Sequence, residues 1–461
     1  ARRRRVKIAL VDLHRSLVDY MDTMTLAMFS GDLTHIGVPH QVVRLYVDRD
    51  RPDTWERSHA ALTRHLLDGD FTTVVWNMTY DDGIVRRLSA AGIPSILVDA
   101  RFAGGDAPFE LVLTNPDRQG FCRLARELSE GRAVPRVPDL LYRDGSGRWT
   151  RTALLEPLAK HRRIHDATFW PNTSYITPQG EHAPASDVWH LCVNPGCPYG
   201  KPLDDNPHFA GVEVPETASS RGSSFCEEGG DYEGAPAEPT MRSLLHQLEY
   251  VATRSSHARF ILLERAVFRF LPRFLRRAHE VLTQAGRGET ATEFFVTARA
   301  DEMVRERDRL REALEVATEL GQRVNLYLVG IENFAESHLE LFNKGATVEQ
   351  HVLACEIMRE MGEAYPPAFT ATRNAAHGFL LFTPWTTLDD LAENVEMMRR
   401  TRIWEIRSES TLSKLRLYPT VPLYYKAAQE GLLAESYDDT RLDMSHRLGY
   451  SKEAPWVFAP A

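Results

Sequence analysis

Alternation constrains this chain more than any other feature of its sequence. Short β-branched runs and amphipathic helical stretches take turns from Val6 onward: VKIALV, a helical stretch from Leu17 to Ile36, QVVRL and a helix near Trp55 to Leu67. The rhythm continues with TVVWN (Thr73 to Asn77), a helix around Ile84 to Ala91, SILVD (Ser95 to Asp99), LVLT (Leu111 to Thr114) and a helix from Arg118 to Leu128. Strands joined through helices predict a parallel sheet covered on both faces. Ligands of such sheets bind at the carboxyl ends of the strands. The residues expected there are Asp12-Leu13-His14-Arg15-Ser16-Leu17 after the first strand and Gly104-Gly105 after the fourth. No G-x-G-x-x-G follows Val11, which weighs against a dinucleotide site.

At 461 residues the chain exceeds the usual single domain. A formal charge of −9 argues against nucleic acid as a partner. The basic run Ala1 to Arg5 precedes an apolar stretch, Val6 to Leu13, too short to span a membrane or to act as a secretory signal. Five cysteines make no disulfide framework and leave at least one free thiol, so a reducing cytoplasm and no membrane association are expected. Between Gly131 and Ser186 the pattern becomes rich in Pro, Arg and Gly, with DGSGRW (Asp144 to Trp149) reading as a hairpin turn. The expected division is a first domain over 1–135, a linker over 136–185, a second domain over 186–425 and a tail over 426–461.

A strand-like run from Asp187 leads into Cys192-Val-Asn-Pro-Gly-Cys197-Pro-Tyr-Gly, and a loop rich in Pro, Asp and Gly then leads to Ser-Ser-Phe-Cys226. The spacing is C-x4-C-x28-C. Three thiolates suit three irons of a cubane, leaving the fourth iron open to a chelating ligand. Other readings stay open: Cys192 as a buried strand thiol, zinc held by the three thiolates with His208 or His190, or a degenerate site. A 28-residue excursion is tolerable because loop closure costs grow only logarithmically with length. Cys122 and Cys355 lie in amphipathic helical patterns and read as core residues.

Beyond the cysteines, RFILLE (Arg259 to Glu264), EFFVTAR (Glu293 to Arg299), VNLYLVGIE (Val324 to Glu332), GFLLFTP (Gly378 to Pro384) and RIWEIRSE (Arg402 to Glu409) again alternate with helices. Together with the strand before Cys192 they make six strand–helix units, with Glu264, Arg299, Glu332 and Thr383 at strand ends, where barrels carry their active groups.

Gly196-Cys197-Pro198-Tyr199 and Phe225-Cys226, Val329-Gly330-Ile331-Glu332-Asn333, Asn343-Lys344-Gly345-Ala346-Thr347, Phe382 to Thr387, and Leu415 to Tyr424 occur in this order. In these landmarks the chain resembles the cobalamin-dependent radical S-adenosylmethionine (SAM) enzymes, whose cysteine motif is C-x3-C-x2-C. The N-terminal third resembles their cobalamin-binding domain, which carries Asp-x-His-x-x-Gly and a Gly-Gly pair; Leu17 stands here where that pattern has glycine. The resemblance implies a doubly wound, flavodoxin-like parallel sheet followed by a partial (β/α)6 radical SAM barrel. It further implies a 4Fe-4S cluster on Cys192, Cys197 and Cys226, SAM contacts from Glu332, Arg299 and Glu264, and cobalamin contacts from Asp12, His14, Gly104 and Gly105. The implied activity is reductive cleavage of SAM and methylation of an unactivated carbon of a small-molecule or peptide substrate, with electrons from a donor such as flavodoxin or ferredoxin. Radical cyclisation or rearrangement is the alternative on the same cofactors, and a non-catalytic cobalamin-binding sensor or carrier is the alternative outside enzymology.

Overall fold

The structure is a computed structural model. It describes residues 6–14, 29–34, 36–46, 53–77, 80–98, 106–114, 118–129, 137, 140–152, 173–177, 180–182, 188–192, 197–215, 218, 220–226, 237–253, 258–372, 377–406, 414–417, 421–434 and 456–459. They divide into two units that meet in sequence at Ser186 and Asp187.

The first unit is built on a sheet whose parallel centre is β1 (Ile8–His14), β2 (His40–Tyr46), β3 (Thr73–Asn77), β4 (Ser95–Val98) and β5 (Leu111–Leu113). Their spatial order is β2-β1-β3-β4-β5, the flavodoxin-like order with its switch point between β1 and β3. Helices α1 (Asp53–Asp68), α2 (Asp82–Ala90) and α3 (Arg118–Ser129), with helical residues 29–34, cover the faces. Successive strand residues point to opposite faces. Ala9 and Val11 therefore pack with Leu62, Leu66, Ile84 and Leu88 on one side, while Leu10 packs with Phe29, Leu33, Phe121 and Leu124 on the other. Burial on both sides explains why TVVWN is apolar almost throughout rather than alternating.

The stretch read from sequence as a linker is a structural part of this sheet. Strands β6 (Leu140–Arg143) and β7 (Trp149–Arg151) add antiparallel to β5, and β8 (Thr173–Thr177) with β9 (Gly180–His182) extends the other edge beyond β2. Edge strands are short and broken by turn residues, so their composition resembles that of a connector. The DGSGRW hairpin forms as its residues dictate: the Asp144 carboxylate accepts the Ser146 and Arg148 amides at 2.8 and 3.1 Å, and Gly147 supplies φ +79°.

The second unit carries β10 (Val188–Cys192), β11 (Arg259–Leu263), β12 (Glu293–Arg299), β13 (Arg323–Glu332), β14 (Phe369–Thr370) and β15 (Gly378–Phe379), every pairing parallel. Between and around them run α4 (Ala237–Ala252), α5 (Leu271–Gln284), α6 (Ala300–Arg305), α7 (Arg307–Glu319), α8 (Glu336–Leu341), α9 (Val348–Ala364), α10 (Leu388–Thr401) and α11 (Pro422–Gln429). The sheet is a curled half-barrel, with register slips at Val296/Thr297 and Gly330/Glu332 that increase local twist. Fully buried Phe260 and Phe294 stack at a centroid distance of 5.8 Å and Phe274 meets Phe294 edge-on at 5.3 Å, each burial contributing about 1.5–3 kcal/mol.

Two expectations for this unit need correction. The run Arg402–Glu409 is not a strand where it is described: Arg402 closes α10 in the left-handed conformation, and a 3-10 turn follows at Ile403–Glu405. An ion pair between Arg402 and Glu405 favours that turn, and the IWEI pattern that mimics a strand buries Ile403 and Ile406 instead. The strand that brings the sheet to six is β14, not this segment. Likewise the boundary at 425 cuts α11, and described residues of the tail are packed: Leu432 and Trp456 join a core with Phe342, Leu415 and Leu423.

Candidate functional site

The long strand β13 ends in Gly330-Ile331-Glu332-Asn333, and each residue has a distinct local reason to be there. Ile331 is fully buried. Gly330 leaves room for charge, because a Cβ at that position would lie 2.7 Å from Glu332 Oε1 and 2.8 Å from Lys344 Nζ. Glu332 adopts φ +52°, a left-handed conformation uncommon for glutamate that marks a site held by its surroundings. Asn333 fixes those surroundings: its amide donates to Leu380 O, and its Oδ1 accepts the Ala335 amide and Asn394 Nδ2, all at 2.8 Å. That one side chain ties β13 to the start of α8, to β15's continuation and to α10.

Glu332 meets Lys344, whose ammonium lies 2.7 Å from Oε2 with both side chains buried. Within the described residues Oε2 accepts no hydrogen bond besides this ion-pair contact. Breaking such a buried pair from one side leaves an uncompensated charge. Lys344 O accepts Arg299 Nη2 at 2.6 Å, and Arg299 Nε pairs with Asp301 at 2.9 Å. The Arg299 guanidinium stacks 4.0 Å from the centroid of the Tyr199 ring. Gly345, at φ +68°, admits that ring: a Cβ there would lie 2.3 Å from Tyr199 Oη. Lys344 Nζ is also 5.8 Å from the Phe225 ring, which stands edge-on to Phe342 at 5.0 Å.

Tyr199 follows Cys197 by two residues and Phe225 precedes Cys226, so the Asn343-Lys344-Gly345 segment touches the flanks of both cysteines. The chain between them returns on itself. Pro202 bridges Arg221 in antiparallel register, Gly222 N donates to Lys201 O at 2.9 Å, and Leu203 N donates to Ser220 O at 3.1 Å. Lys201 lies four residues after Cys197 and Gly222 four residues before Cys226. Beyond this stem the excursion folds into the unit, with Leu203 and Phe209 in its core. The 28-residue gap is thereby closed to a narrow neck.

Burial tunes the neighbouring titratable groups. His351 is pushed down to about 4 by burial, opposed by Glu332 and assisted by Lys344. Its Nδ1 faces Asn333 O at 3.0 Å, which fixes the neutral tautomer with the proton on Nδ1. Burial pushes Glu302 on α6 up to about 8, so its carboxyl is neutral at pH 7. Burial likewise raises Tyr199, with Arg299 opposing. A second buried network steadies the turn after β15: His338 Nε2 lies 2.9 and 3.1 Å from Thr383 Oγ1 and Thr386 Oγ1. Its Nδ1 lies 3.7 Å from Asp390. Thr383 is wholly buried, so this arrangement is a brace rather than a nucleophile.

Of the residues expected from sequence, Glu332 and Arg299 converge on Lys344. Glu264 turns into its own loop instead: it is wholly buried, with Oε1 accepting the Ala266 amide at 3.2 Å and lying 3.7 Å from Arg269. Cys192 ends β10 opposite Leu263, but its side chain lies outside the described residues. Cys197 and Cys226 are in no disulfide and are half-buried. Among the described residues no group of three or more His, Cys, Asp or Glu is arranged to hold a metal. In the first unit Asp12 and Arg44 are register partners across β1 and β2, and their buried side chains pair at 3.3 Å. His14 is the last residue of β1; its side chain, Gly104 and Gly105 lie outside the described residues. Lys344, Asn343 and His351 carried no assigned role in the sequence, although the first two sit in a recognised landmark.

No protein-family profile and no curated protein matches this chain. Solved structures do. The cobalamin-dependent SAM radical enzyme OxsB, with aqua-cobalamin and SAM bound, aligns over 98% of this chain and 64% of its own, at 14% identity and TM-score 0.59. The radical SAM methyltransferase TsrM from Kitasatospora setae, with tryptophan and a SAM analogue bound, aligns over 92% of this chain and 76% of its own, at 16% identity and TM-score 0.56. TsrM with cobalamin and a [4Fe-4S] cluster bound gives 92%, 75%, 15% and 0.55 for the same four quantities. The chain thus has the fold of these enzymes and spans 64% of the length of OxsB.

Proposed function

We propose that this chain is a cobalamin-dependent radical SAM enzyme that methylates a carbon of a small-molecule or peptide substrate. One observation carries the reading: the flanks of Cys197 and Cys226, the Glu332 strand end and the Asn343-Lys344-Gly345 segment meet at the carboxyl ends of a parallel half-barrel. Barrel enzymes build their sites there, and the fold is that of enzymes crystallised with these cofactors.

The donor set fits a thiolate-bound cluster. Cys197 and Cys226 are in no disulfide, and a closed stem brings their segments together. Cys192, at the end of the first half-barrel strand, supplies the third sulfur in this reading. A loaded cluster supplies the electron that cleaves SAM, and cobalamin the methyl group. The chain's residues bind and orient. Lys344 compensates the buried Glu332 carboxylate, whose Oε2 is free to accept a hydrogen bond from SAM. Arg299, held between Asp301, Lys344 O and Tyr199, fixes the loop after β12 and offers its charge to the SAM carboxylate. Glu264 is satisfied within its own turn and is given no SAM contact. In the first unit, the switch point beside β1 and β3 is where a doubly wound sheet takes its ligand, which supports a cobalamin site at the end of β1. Asp12, paired with Arg44, lies near that strand end and would act there together with Arg44. A one-electron donor such as flavodoxin or ferredoxin serves the cluster.

Anaerobic reconstitution with iron and sulfide tests the assignment. Expected are cluster absorption, reductant-dependent 5′-deoxyadenosine or S-adenosylhomocysteine from SAM, and loss of both in Cys192→Ala, Cys197→Ala and Cys226→Ala. Iron content unchanged in all three variants would sink the cysteine assignment. Cobalamin retention with no SAM turnover under any reductant would favour a carrier.

A further inference from the structure

Asn343 reaches both sides of the neck that closes the excursion. Its Nδ2 donates to Gly222 O at 2.8 Å and to Lys201 O at 3.1 Å, the two residues that pair across the stem. Its Oδ1 lies 3.4 Å from Asn206 Nδ2, and its own carbonyl accepts the Tyr199 hydroxyl at 2.7 Å. The side chain is 2% exposed and the backbone is left-handed at φ +48°, a conformation that asparagine tolerates better than most side chains.

The neighbouring helix end shows the same construction. The last carbonyls of a helix have no partner within it. At α8 they are taken by the excursion: Asn206 Nδ2 to Glu340 O at 2.7 Å, Ser224 Oγ to Leu341 O at 2.8 Å, and Ser224 N to Phe342 O at 2.9 Å. Asn343 differs from these caps in binding both strands of the stem at once. The stem holds Lys201 across from Gly222, each four residues from a cysteine, Cys197 on one side and Cys226 on the other.

We propose that Asn343 is a positioning residue that pins the two stems together, so that cysteines 28 residues apart act as one ligand set. The inference rests on reading these cysteines as cluster ligands, but the pin itself is a statement about distance between two thiols. Glycine suits the backbone and removes both donors. Aspartate suits the backbone too, yet turns an acceptor toward two carbonyl oxygens.

The test uses this chain, undivided and cluster-free, carrying Cys192→Ser and oxidised with diamide, with the Cys197–Cys226 disulfide followed by peptide mass mapping. The parent should form it readily, and Asn343→Gly and Asn343→Asp should slow it about ten-fold, the effect of losing two buried hydrogen bonds partly offset by relaxation. Ser224→Ala, which removes one cap and leaves the pin, should stay near the parent rate. Iron per chain after anaerobic reconstitution, measured with Cys192 restored, should fall in both Asn343 variants. Parent-like oxidation in both Asn343 variants, equal slowing in Ser224→Ala, or no disulfide in the parent would overturn the pin. Slowed oxidation in a protein that takes up no iron would uphold the pin while removing the cluster reading. Thermal unfolding confirms that each variant is folded, and the glycine variant keeps the test decisive where the aspartate variant does not fold.

Discussion

Lys344 separates charge from packing at this site. Its ammonium and the Glu332 carboxylate are both buried, so Lys344→Met leaves a carboxylate without its partner, a change worth about 3–5 kcal/mol of stability. The double variant Lys344→Met/Glu332→Gln removes both charges and should recover most of that loss, as urea denaturation of the four proteins in a cycle would show. Additive effects would mean that the pair is not coupled. Glu332 was legible because it closes a strand-like run in a familiar motif. Its partner was not, since residues 332 and 344 bear no periodic relation and only the fold of α8 between them brings the charges together. Asp12 illustrates the reverse: it was noticed beside His14 in sequence, whereas its carboxylate is engaged by Arg44 on the next strand.

Among the elements, α6 is small but bears an unusual charge state. Glu302 has an ordinary value of 4.5 and is pushed up to about 8 by burial. Between those values the folded chain holds a proton that the unfolded chain has released, so this group's contribution is complete below 4.5 and is lost as pH rises through about 8. His351 works in the opposite sense and lower: its ordinary 6.5 falls to about 4, so its contribution is lost as pH drops across that interval. Between about pH 7 and 9 His351 is neutral in both states, and thermal unfolding there isolates Glu302. The wild type should lose stability toward pH 8 and then level, and Glu302→Gln should lack that decline; parallel profiles would rule the account out. Elements with strong local patterns were readable, β12 to the residue. Strand β14 was not, because two residues contain no period. Arg402–Glu409 misled for a different reason: Ile403 and Ile406 are buried by a turned backbone as they would be by a strand.

For the whole molecule, the two units have separate cores and separate sheets. Calorimetry of the full chain should therefore resolve two transitions, and a ligand bound only by the folded second unit, such as the reconstituted cluster, should raise one of them while leaving the other in place. A single transition moved as a whole by iron would show that the units unfold together. Alternation in the sequence made both sheets legible, and the connection between them was not, since β6 to β9 are short edge strands written in turn residues.

The neck formed by Lys201 and Gly222 has a consequence for how such sites are found. Any recogniser that counts residues along a string sees two unrelated fragments, one on each side of the excursion. Measured through the stem, Lys201 and Gly222, each four residues from a cysteine, are neighbours. Material can be spliced into or trimmed from the far side of a neck without changing what faces what at its base, so ligand spacing in a linear pattern records the history of insertions as much as the geometry of the metal.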